Sequence, residues 1–259
     1  MLEVARPQKI EVHFEKFKIR SNEIDSQRRV TLPALVNYLQ EAANNNVMQS
    51  GASVYDLHER GIAWVLSRMK LQLFAYPSHG QEITVKTFPS GSEKYFFYRD
   101  FRIFDEWGLL IGQATSTWPV IDLQKRQMIS VPDFLNVFRI GGDEAPLPVA
   151  KGKIFPVADP LHERQFQVGW YDIDVNRHAN NMCYFRWLVE AMPADFLSQH
   201  RLTEIDFQFR NECNLDDVVV ARAGLSGVPN GFSHQLSSAA ERKDYALARS
   251  VWERSPAEG

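Results

Sequence analysis

What most constrains this chain is that it repeats itself. At a shift of 149, Asp25-Ser-Gln27-Arg-Arg29 falls on Asp174-Val-Asn176-Arg-His178, and Tyr38, Leu39 and Glu41 fall on Trp187, Leu188 and Glu190. At a shift of 136, Met69, Leu71 and Leu73 fall on Ile205, Phe207 and Phe209. At a shift of 134, Ala114-Thr-Ser116-Thr-Trp118 falls on Ala248-Arg-Ser250-Val-Trp252. The first copy therefore holds 13 more residues (149 − 136) between its helix and the strand that follows. Three matches in one order make a duplicated unit, and that has to be recognised before any fold is assigned.

Hydrophobic spacing gives each copy the same element order. Leu32, Leu35, Val36, Leu39, Ala42, Ala43 and Val47 recur at helical spacing, with Thr31 suited to the N-cap, Pro33 to the first turn and Gly51 to the stop. Phe185, Leu188, Val189 and Met192 do the same in the second copy, with Asn180 or Asn181 near the cap and Pro193 ending the run. Strands are predicted at Ala63–Phe74, Glu82–Phe88, Tyr95–Phe104 and Leu109–Ile121, then at Glu204–Arg210, Val218–Leu225, Phe232–Ala240 and Tyr245–Glu253. Pro89-Ser-Gly91, Asp105-Glu-Trp-Gly108 and Pro229-Asn-Gly231 read as hairpin or loop signals, and Tyr95-Phe96-Phe97-Tyr98 reads as sheet core, with the lining of an acyl pocket as its second reading. An antiparallel sheet with one apolar face needs a cover, and one amphipathic helix per copy is available. The expected class is α+β: a tandem, or double, hotdog, each an antiparallel sheet wrapped around a long central helix. The copies are expected at 1–139 and 161–259, joined by a Gly- and Pro-rich linker at 140–160.

Composition excludes several function classes. With 29 basic and 32 acidic side chains the net charge is −3, against a generic nucleic-acid binder. The longest uncharged stretch, Trp107–Ile121, contains Gln113, Thr115, Ser116, Thr117 and Pro119, so no membrane span is expected. The amino terminus lacks the apolar core of a signal peptide. Two cysteines, Cys183 and Cys213, suit a reducing cytoplasm and cannot form a zinc cluster on their own. The histidines show no metal-ligand spacing, and no glycine-rich phosphate loop follows a strand, so neither metal nor nucleotide cofactor is expected.

The densest polar cluster is Asp172, Asp174, Asn176, His178, Asn180 and Asn181, just ahead of the second helix. Side chains alternate along an extended stretch, which would point Asp174, Asn176 and His178 the same way. A histidine moves protons near neutrality, and helix N-terminal N–H groups near Asn180 and Asn181 suit a carbonyl oxygen gaining negative charge. The bland alternative is a capping loop in which His178 is incidental. The repeat shifts the balance, because the first copy builds the loop with Asp25, Gln27 and Arg29. A second constellation, Arg210-Asn211-Glu212-Cys213-Asn214, offers a general base in Glu212 and a nucleophile in Cys213 if its thiolate were stabilised; the first copy has Tyr76 and Pro77 there. Cys183 reads as packing.

These residues resemble a family. YDIDVNRHANNMCYFRWLVEAMP followed by FRNEC is similar to the acyl-acyl carrier protein thioesterases of plants and bacteria, as are NYLQEAA, the run Gly61 to Met69, Tyr76-Pro77 and Ala114 to Trp118. The similarity runs from about Val12 to Trp252. It implies a double hotdog that hydrolyses the thioester between a fatty acyl chain and the carrier protein's phosphopantetheine arm, ending chain elongation. Carried over position by position, it implies catalytic roles for Asp174, Asn176, His178 and Glu212, with the role of Cys213 open between nucleophile and packing residue. It also implies an acidic carrier protein as partner, with Arg177, Arg186 and Arg210 as docking candidates, and a bacterial, cytoplasmic setting as monomer or homodimer. The competing readings are an acyl-CoA thioesterase and, from another class, a non-catalytic acyl-CoA-sensing hotdog protein.

Overall fold

The computed structural model describes residues 12–48, 52–135 and 145–255. Ten strands form one continuous antiparallel path. In the first copy they are β1 (His13–Lys18), β3 (Arg68–Leu73), β4 (Glu82–Glu93), β5 (Phe96–Phe104) and β6 (Leu110–Asp122); in the second, β8 (His162–Gln167), β9 (His200–Phe209), β10 (Val218–Leu225), β11 (Gly231–Ser238) and β12 (Asp244–Arg254). Two short strands, β2 (Ile62–Trp64) and β7 (Gln127–Met128), also pair with β6. The spatial order β1-β4-β5-β6-β3-β9-β12-β11-β10-β8 reads as the same five-strand unit forwards and then backwards.

The join is at β3 and β9, where Met69 faces Phe207 and Leu71 faces Ile205. The repeat maps Met69 onto Ile205 and Leu71 onto Phe207, so exchanging the copies turns each pair into the other. The join is thus a pseudo-twofold, self-complementary edge contact of the kind that closes symmetric dimers. Period-two alternation sorts its faces. Met69, Leu71, Leu73, Ile205 and Phe207 are buried on the inner face. On the outer face Arg68 forms a buried bidentate pair with Asp206 at 2.7 and 2.6 Å, and Lys70 pairs with Glu204 at 3.0 Å.

Helices α1 (Leu32–Met48) and α3 (Asn181–Glu190) fill the inner face and contact each other. α1 buries Leu35, Val36, Leu39 and Ala42, the stripe its spacing predicts. Truncating a side chain such as Leu39 to Ala there costs about 2–5 kcal/mol. Helix α4 (Ala194–Gln199) follows Pro193. The extra residues of the first copy hold α2 (Val54–Glu59), capped by Ser53, whose hydroxyl accepts from Asp56 N while Asp56 accepts from Ser53 N. Beneath it lies a second small core of Ala52, Leu57, Ile62, Phe97, Val120 and Leu135.

The structure corrects three local expectations. Pro89-Ser-Gly91 is no turn: β4 runs through it with a register shift between Pro89 and Gly91, and the chain reverses at Lys94-Tyr95. Pro89 lies beyond Thr87, the last β4 residue paired with described β1, so its missing N–H removes no ladder bond on that side. The single strand predicted over Ala63–Phe74 is interrupted at residues 65–67, opposite Pro119, which accepts from Val65 N but has no N–H to return. Of Tyr95–Tyr98 only Phe97 is buried; Tyr95, Phe96 and Tyr98, at the turn end of the β4–β5 hairpin, are half-buried. The proposed helix stop at Gly51 lies outside the described residues.

Residues 145–160 contain no helix or strand. They lie against the sheet: Arg68 donates to the carbonyls of Lys151 and Gly152, Leu147 N–H donates to buried Asp100, and Ile154 is buried. At Gly224 on β10 any Cβ would stand 2.5 Å from the Asp159 carbonyl oxygen, so only glycine lets the segment approach so closely.

Candidate active site

The chain leaves β8, makes a single 3-10 turn at Trp170–Asp172, and reverses through Asp174–Arg177 before entering α3. Asp174 N–H donates to His178 O at 2.9 Å and Arg177 N–H to Asp174 O at 3.0 Å, closing the turn around Arg177 at φ +66°. The Asp174 carboxylate accepts from Asn176 N–H at 2.8 Å. This is an Asx-type turn and not the extended stretch that simple alternation assumed. Asp174 therefore shapes the loop that carries His178, and Asn176 stands exposed at its tip.

One backbone hydrogen bond brings the two constellations together. Ala179 N–H donates to Cys213 O at 2.9 Å, which sets the preceding residues, His178 and Glu212, side by side. His178 Nε2 lies 3.3 Å from Glu212 Oε2. The same carboxylate oxygen accepts from Arg126 Nη2 at 2.8 Å, and Lys243 Nζ reaches the Glu212 carbonyl at 3.4 Å. Arg126 belongs to the first copy, in the turn between β6 and β7 that Asp122 braces by accepting from Gln124 N and Lys125 N. Sequence reasoning missed Arg126. The Asp122-to-Arg126 stretch carries a turn signal, but nothing in it announces a partner 86 residues away.

Cys213 points the other way. It is fully buried; its N–H donates to Tyr184 Oη at 2.9 Å, and burial pushes its thiol up to about 12. Cys183 is also buried and likewise held near 12 by burial, with Asp172 alongside. Neither thiol is poised as a thiolate near neutrality. Asn180 is the N-cap of α3: its side-chain oxygen accepts from Met182 N at 3.0 Å, and its own N–H donates to Asp172 O at 2.7 Å. Asn181 donates from its side chain to Gln40 of α1 at 2.8 Å, and its backbone N–H opens the helix. Of the arginines, Arg177 is exposed on the loop, Arg186 is drawn into an ion pair with Asp172 at 2.7 Å, and Arg210 reaches the Ile154 carbonyl at 3.4 Å.

In chemical terms the site is an imidazole and a carboxylate in contact, at the mouth of a helix N-terminus, with an arginine on the carboxylate. Such a set can take a proton from water and face developing oxyanion charge.

The chain matches the Acyl-ACP thioesterase N-terminal domain family over residues 11–137 and the Acyl-ACP thioesterase C-terminal domain family over residues 158–254. A chloroplastic acyl-[acyl-carrier-protein] hydrolase of Cuphea viscosissima is 27% identical over 86% of this chain, which spans 57% of the plant protein's length. Among solved structures, an oleoyl thioesterase from Lactobacillus plantarum is 25% identical with a TM-score of 0.85, covering 95% of this chain and 98% of that one. The 12:0-ACP thioesterase of Umbellularia californica shares the fold at a TM-score of 0.82 and 23% identity, covering 94% and 98%. The tandem hotdog expected from the repeat is the fold of these proteins. No helix among the described residues is long and apolar enough to cross a membrane.

Proposed function

The chain belongs to the acyl-ACP thioesterase family, and from that membership together with its site we propose that it hydrolyses fatty acyl thioesters of acyl carrier protein, releasing the free acid and ending chain elongation. The observation that carries the reading is the 3.3 Å contact between His178 and Glu212 beside the start of α3, formed in the second copy alone. Water held against the His178–Glu212 pair loses its proton to it and adds to the thioester carbonyl. The Asn181 backbone N–H, at the positive end of α3, faces the resulting oxyanion. Collapse expels the pantetheine sulfur, which takes the proton back from His178, so acyl thioester and water become carboxylic acid and thiol.

In this scheme Asp174 and Asn176 hold the loop, Arg126 orients Glu212 from across the copies, and Cys213 packs. The first copy, 1–139, supplies the acyl pocket, and the second, 161–259, supplies the chemistry. Two buried free cysteines suit a reducing compartment such as the bacterial cytoplasm.

Release of free thiol from matched acyl-ACP and acyl-CoA substrates tests this. Turnover of acyl-ACP with a clearly higher kcat/KM supports the reading, preferred acyl-CoA transfers it to the other carrier, and no release from either refutes hydrolysis.

A further inference from the structure

The loop that carries His178 exposes three large apolar side chains that the chemistry does not use: Trp170 is 74% exposed, Tyr171 99% and Val175 88%. Scattered exposed apolar residues are ordinary on protein surfaces. Here, however, the molecule contains its own control. The first copy makes the same 3-10 turn at Ser21–Glu23 and the same left-handed residue, Arg28 at φ +59° against Arg177 at +66°. At a shift of 149, Trp170, Tyr171 and Val175 correspond to Ser21, Asn22 and Ser26, and all three are exposed. The backbone therefore does not call for apolar side chains at these places, and water disfavours them. They occur only in the copy that has His178.

We propose that Trp170, Tyr171 and Val175 form the apolar centre of a docking surface for the carrier protein that presents the thioester to His178. The proposal rests on the thioesterase reading above. A thioester tethered to a protein brings that protein to the surface around His178, where this loop is the exposed apolar feature, whereas a small free thioester needs no such platform. The charges around the patch fit an acidic partner. The loop's two carboxylates are engaged internally, Asp172 by Gly169 N and Arg186, Asp174 by Asn176. Arg177 is left as the loop's outward charge, with Arg126 and Lys243 at Glu212 beside it. An apolar centre with cations beside it suits the acidic carrier protein that the resemblance implies. Three side chains on one short loop are far less than the amphipathic helix face that holds a protein on a bilayer.

The test is to give the second copy the residues of the first: Trp170→Ser, Tyr171→Asn and Val175→Ser together. The same backbone already carries those residues in the first copy, so folding is expected to survive, and thermal melting checks it. The expected result is a KM for acyl-ACP raised at least about tenfold, with kcat unchanged and kcat/KM unchanged for an acyl-N-acetylcysteamine thioester. Equal losses on both substrates, or no change on either, overturn the proposal. So does an unchanged KM for acyl-ACP accompanied by lost binding to phosphatidylglycerol vesicles or by a changed sedimentation coefficient, which would assign the patch to a membrane or to a second copy of this chain. If the wild-type protein hydrolyses neither substrate, the thioesterase reading fails by itself. Binding of a carrier protein charged with a non-hydrolysable acyl amide, compared between wild type and triple variant, then still decides whether the surface docks it.

Discussion

In the loop before α1, Asp25 N–H donates to Arg29 O at 2.8 Å, Arg28 N–H to Asp25 O at 3.0 Å, and Val30 N–H to Pro77 O at 2.9 Å. In the loop before α3 the same three bonds run from Asp174 to His178, from Arg177 to Asp174 and from Ala179 to Cys213, at 2.9, 3.0 and 2.9 Å. The backbones agree bond for bond, yet the side chains at the matched positions do different things. Arg29 turns its guanidinium into the second copy, donating to Leu197 O, His200 O and Ser255 Oγ at 3.0 Å each, and to Asp25 at 2.9 Å. Tyr76, which matches Glu212, donates to Leu202 O at 2.7 Å. In the first copy this corner fastens the halves together. In the second it opens to solvent and holds the His178–Glu212 contact. The loop's shape thus comes from its backbone and its aspartate, which leaves the arginine or histidine position free for assembly or, on the proposed reading, for chemistry.

The comparison breaks most sharply at Glu212. Glu212→Ala should lower kcat by about 10²–10⁴, the worth of a positioned acid–base group, while Tyr76→Phe should leave kcat unchanged and cost about 1 kcal/mol of stability for its lost hydrogen bond. Steady-state kinetics and denaturant unfolding on the pair check both halves. A comparable kcat loss in Tyr76→Phe would mean that the corners are not specialised.

Cys213 and Pro77 sharpen it next. Because each accepts the same backbone bond, Cys213→Ala should keep most of its turnover, and rapid-quench mass spectrometry should find no acyl group on that peptide. With both thiols pushed up to about 12 by burial, little thiolate is present at pH 8. Alkylation of the folded protein should be correspondingly slow and should quicken as the pH climbs. A trapped acyl adduct on Cys213 would replace the water mechanism with a covalent one.

A third difference lies in the core. His234 faces Ala248 where the first copy sets Phe101 against Ala114. It is fully buried, its Nε2 lies 2.7 Å from Ser250 Oγ, Nδ1 has no partner, and burial brings its pKa down to about 3. The unfolded chain takes up the proton near 6.5 and the folded one only near 3. His234 therefore adds nothing to acid sensitivity above about 6.5 and costs stability progressively as pH falls from there towards 3. His234→Phe should flatten that fall in an unfolding series between pH 7 and 4; an unaltered slope would contradict the assignment.

The smallest effect is expected at Arg177, whose counterpart Arg28 occupies the same left-handed position. Arg177→Glu should raise KM for acyl-ACP several-fold with little change for a small thioester, and added salt on the wild type should mimic it. Equal changes for both substrates would remove Arg177 from docking.

Much of this was legible in the chain. The duplication and the alternation of strands such as Val218–Leu225 gave the fold, because a period of two with one buried face leaves little freedom of register. His178 and Glu212 stood out because their counterparts, Arg29 and Tyr76, cannot do acid–base work near neutrality. Three things were hidden. Pro89 looked like a turn because its place beyond β1 is a property of the assembled sheet. The alternation expected from Asp174 to His178 fails because the Asp174 carboxylate accepts from Asn176 N–H and the chain turns at left-handed Arg177, neither of which spacing along the chain shows. Arg126 meets Glu212 through tertiary packing that no local pattern encodes.

One loop is built twice, and the thioesterase reading places the chemistry only where that loop carries histidine. The direct measurement is kcat on acyl-ACP, with melting temperature alongside, for His178→Ala and Arg29→Ala. On that reading His178→Ala stays folded and loses about 10²–10⁴ in kcat, while Arg29→Ala keeps its kcat but melts earlier, by about 1–3 kcal/mol of lost half-buried hydrogen bonding. Near-wild-type turnover in a folded His178→Ala protein would contradict it.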